Sequence, residues 1–432
     1  ERKFSEYIGT DYGVAVNSGT SANILALNSL MDAGYLKKGD EVALPATTFI
    51  TVATPIIQLG LVPVYIDIDP ETLNINIDEL RKAILDKKRN IECVMAVHTL
   101  GNPVDMTRIM ELTEHRGIQV IEDCCEAHGA EWGGKKIGSY GIISTWSFYV
   151  AHHMTTGEGG MVLTSDDELD IILRELREFG RDKGYEGERY GMTKAGLHNF
   201  DERYTFHRIG WNFRMADAPA SFGIQQLNKL ENMNEVRLSN AEYLTNRLSE
   251  FGEHIHVFPV NTVGYVNTFY SYPIVIKETS DVDRKEFVQF LENKSIETRA
   301  IMCGTLSDQP ALFDVPKVEF GELKNSRYIK DNAFFIGCHP ALGEEELEHI
   351  VNIVEQIRVK FTGIGVIKVL EASVQNDIEK FLLSSSSCVY RPGKEAFVEH
   401  GPIELTTPYA ITKMLSEYYV TFFNKFHNLP AV

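Results

Sequence analysis

Roughly the first 170 residues alternate short β-rich runs with helical patterns, and this alternation limits the possible folds more than any other feature of the chain. Val14-Ala15-Val16 predicts a strand, and Asn17-Ser18-Gly19-Thr20-Ser21 follows it. Apolar residues then fall at Ile24, Leu27 and Met31, the i, i+3, i+7 spacing of a helix face. Further strands are predicted at Glu41–Leu44, Val62–Ile66, Cys93–Val97 and Gln119–Glu122, with helical stretches between most of them. Strand–helix alternation implies an α/β fold whose mainly parallel sheet is covered on both faces. Ligands of such sheets sit at the carboxyl ends of the strands.

Beyond this region, Arg181 to Arg208 is polar with little periodicity and reads as a long loop of the kind that serves function. Helical patterns resume near Ala216 and run to about Leu248. A β-rich run (Tyr270–Ile276) and two helices (Arg284–Lys294, Glu344–Ile357) then suggest a smaller α/β domain. The expected organisation is a large domain over 1–235, a small one over 236–360 and a separate segment over 362–432. The net charge of −19 argues against a nucleic-acid or anionic-membrane partner, because phosphate binding wants a basic face. No apolar run approaches the roughly 18 residues of a membrane helix. The six cysteines are scattered, without C-x-x-C spacing, and read as reduced thiols of a cytoplasmic protein rather than metal ligands. No signal peptide is visible, and the chain opens at Glu1 without Met, so upstream sequence facing the substrate is expected to be missing.

Four motifs carry chemistry. Ser18-Gly19-Thr20-Ser21 joins a strand to a helix, where glycine admits an anion and the helix N-terminus offers N–H donors; an ordinary N-cap is the plain alternative. Glu122-Asp123 ends a strand, so a carboxylate either points into the ligand crevice or caps a helix. Ser147 to Gly160 (SFYVAHHMTTGEGG) is dense in small and polar residues. The plain alternatives for its His pair are a zinc ligand pair or a satisfied core histidine, and zinc is not expected because adjacent histidines in one strand point to opposite faces. Trp211-Asn212-Phe213-Arg214-Met215-Ala216-Asp217 leads into a helix.

The order and spacing of the four, with Val64–Thr72 (VYIDIDPET) and Val97–Pro103 (VHTLGNP), resemble the DegT/DnrJ/StrS-type sugar aminotransferases, fold-type I pyridoxal-phosphate proteins acting on nucleotide-linked keto sugars. The resemblance spans residues 1 to about 360 and implies roles by position. Gly19, Thr20 and Ser147 hold the cofactor phosphate, Asp123 pairs with the pyridine nitrogen and Glu126 lies near the ring hydroxyl. Phe49 stacks on the ring, though it also reads as a core aromatic, and Asn212 reaches the phosphate of a neighbouring subunit in a homodimer.

One departure matters most. The family's Schiff-base lysine lies seven residues before the Gly-Gly of the third motif, and that position here is His152. No lysine lies between Lys136 and Lys183. The cofactor is therefore expected to bind non-covalently, as pyridoxamine 5′-phosphate, with His152 as base. Ala151-His152-His153 and the stretch from Thr298-Arg299 through Gly304–Pro310 resemble the family's 3-dehydratase subgroup, which acts on nucleotide-linked 4-keto-6-deoxy sugars. The resemblance implies that the cofactor amine engages the C4 ketone, that the C3 hydroxyl leaves, and that Arg299, otherwise a surface ion pair, contacts substrate. One branch of the subgroup carries an iron–sulfur cluster on cysteines after a Gly-Arg-Asp turn; Gly180-Arg181-Asp182 here is followed by no cysteine before Cys303, so no cluster is expected and an amino donor such as glutamate recharges the amine. The competing readings are an ordinary aminotransferase, which His152 opposes, and a sugar-nucleotide binder that lost its lysine.

From about Thr362 the character changes. Phe381–Tyr390 (FLLSSSSCVY) and Pro408–Lys413 (PYAITK) resemble extended short-chain dehydrogenases of the nucleotide-sugar epimerase and dehydratase type, with Ser386, Tyr409 and Lys413 at the positions of their proton relay. Thr362-Gly363-Ile364-Gly365 lacks the third glycine of a dinucleotide loop. A partial Rossmann-like segment without oxidoreductase activity is expected.

Overall fold

The computed structural model describes residues 1–181, 204–260, 262–375, 408–427 and 429–430. Its strands are β1 (Tyr12–Val16), β2 (Glu41–Pro45), β3 (Val62–Ile66), β4 (Ile91–Val97), β5 (Gln119–Asp123), β6 (Glu131–Trp132), β7 (Lys135–Lys136), β8 (Ile143–Ser147), β9 (Gly160–Thr164), β10 (Ile255–His256), β11 (Tyr265–Val266), β12 (Tyr272–Ile276), β13 (Thr298–Ala300), β14 (Val318–Phe320) and β15 (Ala333–Ile336). Its α-helices are α1 (Arg2–Ile8), α2 (Gly19–Asp32), α3 (Ile50–Gln58), α4 (Ile77–Leu85), α5 (Met106–Thr113), α6 (Asp167–Arg177), α7 (Asp217–Leu248), α8 (Arg284–Asn293), α9 (Lys324–Asn332), α10 (Glu344–Gln375) and α11 (Pro408–His427). The predicted strands and the helix after the first of them appear within a residue or two of their expected bounds at most ends, whereas the last predicted helix runs on to Gln375.

The chain divides into two compact units: Glu1–Thr245 with Phe258–Ile274 and Arg299–Ala341, and Asn246–Val257 with Val275–Thr298 and Leu342–Val432. Residue 235 lies inside α7 and residue 360 inside α10.

The first unit is built on an eight-stranded sheet in the order β1-β9-β8-β5-β4-β2-β3-β14. Only β9 runs against its neighbours; the other pairings are parallel. The strands alternate between two cores, as a period of two requires. Val42, Leu44, Tyr65, Cys93, Met95 and Ile121 join Leu25, Val52 and Leu173 on one side. Ala43, Val64, Val94, Ala96 and Val120 join Leu80 and Ile109 on the other. Burial on both faces explains why these strands read as nearly continuous apolar runs. The carboxyl ends of β5 and β8 and the β1–α2 turn therefore open on one crevice, the place where a ligand meets backbone ends rather than packed side chains.

In the second unit, β10 pairs antiparallel with the end of β12 (Ile255 with Ile276, His256 with Val275). Helix α8 starts at Asp283, whose carboxylate accepts from the Glu286 N–H at 2.9 Å. Leu370 of α10 packs with Val420 and Phe423 of α11 and with Leu429. Among the described residues beyond 362 there are helices and no strand. No helix among the described residues is long and apolar enough to cross a membrane.

Candidate active site

A cavity of about 340 Å³ in the first unit is lined by Ser18, Gly19, Thr20, Phe49, Asp123, Glu126, Ser147, Tyr149, His152 and Tyr270, among others. Seven sequence-predicted residues thus meet although up to 133 positions separate them (Gly19 to His152).

The anion seat comes from the β1–α2 turn. Ser18 caps α2 by accepting from the Ser21 N–H at 3.1 Å, and Ser21 Oγ donates to Asn17 Oδ1 at 2.6 Å. The first N–H groups of a helix have no intrahelical acceptor, and here Gly19 and Thr20 bring theirs to the cavity. Gly19 has no room for more: a Cβ on it stands 2.7 Å from the Ser147 Cβ and 3.1 Å from the Cys125 Sγ. Backbone and the Ser147 side chain thereby close to form a cradle for a small anion.

Asp123 ends β5 and is buried, with 5% of its surface exposed. Its Oδ2 accepts from Asn23 Nδ2 at 2.9 Å and its Oδ1 from the Cys125 N–H at 3.1 Å. Thr145 Oγ1 donates to Asn23 Oδ1 at 2.7 Å, which fixes the amide that orients the carboxylate. Glu126, just beyond, accepts from the Leu100 N–H at 2.9 Å. Burial, helped by the nearby Asp123 charge and opposed by that hydrogen bond, pushes its carboxyl up to about 8.

His152 lies in the turn after β8. Its Nδ1 is 3.1 Å from the Ser147 carbonyl. A carbonyl only accepts, so Nδ1 carries the hydrogen and Nε2 keeps its lone pair. Burial lowers the imidazole's affinity for a proton, against the pull of the Ser147 carbonyl and of Asp123. The result is a neutral imidazole, in the tautomer a base needs, in a cavity with a carboxylate and an anion seat. Phe49, 54% exposed on the cavity wall, offers an aromatic face.

The adjacent histidines do not part to opposite sides, because their segment is a turn rather than a strand. Both rings lie beside His128, at 6.2 Å from His152 and 5.8 Å from His153. Asn212 lies outside the lining: it is exposed, bridges Glu178 and accepts from Arg214 Nε at 3.3 Å. Arg299 sits exposed on β13, also outside the lining. Ser386 lies outside the described residues, as do Asp182–Arg203 of the expected loop; Tyr409 and Lys413 are one turn apart in α11.

Sequence reasoning missed Tyr270 and Tyr149, which stand edge-on to His152 at 5.6 and 6.0 Å between ring centroids. It also missed the buried hydrogen-bond network of Glu122, the neighbour of Asp123 in β5. His98 Nδ1 accepts from the Val104 N–H, so its Nε2–H donates to Glu122 Oε2 at 3.3 Å. Glu122 further accepts from the N–H groups of Gly138, Tyr140 and Gly141 at 2.7–2.8 Å. Cys124 lies with His98 and Glu122, but their ligand atoms are committed to these hydrogen bonds. No local motif marks such long-range pairs; only the terminal position of Glu122 in its strand hinted at a role.

Residues 1–355 match the profile of the DegT/DnrJ/EryC1/StrS aminotransferase family. The chain belongs to that family. Residues 347–432 match the NAD dependent epimerase/dehydratase family, so this family member carries a second likeness at its end. Among its relatives, the lipopolysaccharide biosynthesis protein RfbH of Salmonella typhimurium is 36% identical, over 82% of this chain and 83% of the relative. The GDP-4-keto-6-deoxy-D-mannose 3-dehydratase of Yersinia pseudotuberculosis is 33% identical, over 82% and 90%. The solved structure of an E. coli GDP-4-keto-6-deoxy-D-mannose-3-dehydratase with bound hydrated PLP superposes with a TM-score of 0.75 at 31% identity, covering 82% of this chain and 90% of that one.

Proposed function

We propose that this protein is a dehydratase dependent on pyridoxamine/pyridoxal 5′-phosphate, removing the C3 hydroxyl of a nucleotide-linked 4-keto-6-deoxy sugar. The relatives' names point to a GDP-linked substrate. The observation that carries the reading is His152: a neutral imidazole faces the cavity from the turn where the family's aminotransferases keep a lysine. Among the described residues no lysine lines the cavity, which leaves an aminotransferase reading without its amine.

The donor set fits the cofactor. The cradle of Gly19, Thr20 and Ser147 suits a phosphate, Asp123 a protonated ring nitrogen, and Phe49 a ring face. When bound, the cofactor supplies an amine for the C4 ketone and a ring that draws electrons from an adjoining C–H bond. Asp123 keeps the proton on the ring nitrogen. Glu126, protonated below about pH 8, donates toward the ring hydroxyl. His152 Nε2 takes up a proton and then, as imidazolium, returns one to the departing C3 oxygen. Arg299 meets the substrate, Asn212 serves the partner's phosphate in a homodimer, and glutamate recharges the amine. The work is cytoplasmic, and Ser386, Tyr409 and Lys413 take no part in it.

Incubation with GDP-4-keto-6-deoxymannose, the cofactor and glutamate tests this. Mass spectrometry should find a keto sugar one oxygen lighter. An amino sugar that keeps its C3 hydroxyl would instead assign the chain to transamination.

A further inference from the structure

His153 is a buried titratable group that the proposed reaction does not use. It is 3% exposed, and its Nε2 lies 3.1 Å from the Thr268 carbonyl. The carbonyl only accepts, so Nε2 carries the hydrogen; among the described residues Nδ1 is buried with no hydrogen-bond partner. Burying an unpaired ring nitrogen carries a cost, while the opposite nitrogen holds a backbone carbonyl.

What it grips is unusually well fixed. Thr268 N–H donates to the Gly101 carbonyl at 3.1 Å and Tyr270 N–H to the Leu100 carbonyl at 2.9 Å. Phe269 N–H donates to Asn267 Oδ1 at 2.8 Å. Arg237 Nη1 reaches the carbonyls of Phe269, Tyr270 and Cys338 at 3.3, 3.0 and 3.4 Å. These bonds hold Phe269 at φ +43°, a left-handed conformation that a phenylalanine adopts only under constraint. The next residue, Tyr270, stands in the cavity with its ring edge-on to His152 at 5.6 Å.

We propose that His153 is a positioning residue: its hydrogen bond to Thr268 clamps the turn bearing His152 to the rigid 267–270 segment and so sets the imidazole of His152 against Tyr270. Among the described residues, the His152 side chain has one hydrogen-bond tether, to the Ser147 carbonyl. The clamp supplies the second. The charged or titratable groups facing His153 are Arg237, His128, His152 and the Tyr270 phenol. Burial and the Arg237 cation hold the imidazole of His153 well below its ordinary range. It stays neutral, so the clamp persists across the working pH.

The test compares His153→Leu with His153→Gln in the full chain; this inference rests on the dehydratase reading, and one readout is independent of it. Glutamine places an amide N–H at nearly the reach of Nε2, and leucine places none. In the pyridoxamine-phosphate-loaded protein, His153→Leu should lower kcat about 100-fold while KM and cofactor affinity hold, as for a displaced base. His153→Gln should recover most of that loss. Independently of turnover, ¹⁵N-histidine spectra of the cofactor-free chain should show the His152 Nδ1–H exchanging faster in the leucine variant alone. An unchanged His152 signal and kcat in His153→Leu, or a glutamine variant as impaired as leucine, overturns the clamp. Absent dehydration by the wild type, together with the expected spectral change, instead removes the reaction and leaves the clamp standing.

Discussion

The pocket-bearing region and the final stretch each carry a catalytic pattern, and they differ in what surrounds it. In the first unit, Gly19, Asp123, Ser147 and His152 stand at strand ends and turns of one sheet, and the sheet gathers them around one cavity. In the final stretch, Tyr409 and Lys413 keep their spacing on a helix, while Ser386 lies outside the described residues and no described strand follows residue 362. A motif acts through the scaffold that aims its side chains: in the first unit that scaffold is a sheet with a cavity at its strand ends, and in the final stretch the described residues show the helix that carries two members of the pattern.

The comparison breaks most readily at His152. His152→Asn should cut dehydration of the 4-keto sugar by about 10² to 10⁴-fold, the worth of a general base, while cofactor affinity changes little. Steady-state rates and a fluorescence titration with pyridoxamine phosphate check both, and undiminished turnover would remove the base. A smaller loss is expected from Asp123→Asn. It exchanges a charge-assisted hydrogen bond for a neutral one, worth about 1.5–3 kcal/mol or roughly 10- to 150-fold in rate. Loss of turnover should come with a blue-shifted absorbance of the bound cofactor, since the ring nitrogen loses its proton.

Glu126 sharpens the picture through stability. Its carboxyl titrates near 8 when folded, above the ordinary 4.5, so the folded state holds the proton more tightly than the unfolded chain. That contribution is whole below pH 4.5 and is lost as pH rises through 8. Glu126→Gln removes the loss. The cofactor-free variant should melt a few degrees above wild type at pH 9, with the gap narrowing toward pH 5. A gap independent of pH would contradict the buried-acid account. The smallest effect belongs to the other region: Lys413→Met should leave sugar turnover within about twofold, as for a substitution remote from the site. A tenfold loss there would join the two regions in one activity.

Much of this was legible in the chain because it is local. Strands buried on both faces announce themselves as apolar runs, as Val62–Ile66 does, and the glycine and serine of the β1–α2 turn mark a strand-to-helix junction. The reading of His152 in place of a lysine came from the family resemblance, and the structure sets its imidazole in the cavity. The supports were not. Asn23 reaches Asp123 across 100 residues, His98 reaches Glu122 from just past the end of the neighbouring strand β4, and Tyr270 enters the cavity from a strained turn held by Arg237. Each depends on where the sheet places two distant backbones. The expectation that His152 and His153 diverge failed for the same reason: a period-two argument holds in a strand, and these residues occupy a turn.

On the proposed reading, the imidazole of His152 stands in the cavity where the family's aminotransferases keep an amine. Loading the chain with pyridoxal phosphate, reducing with borohydride and measuring the intact mass tests it directly. The protein's mass should stay that of the untreated chain. A gain corresponding to one reduced, covalently held cofactor on a lysine of the cavity would contradict it.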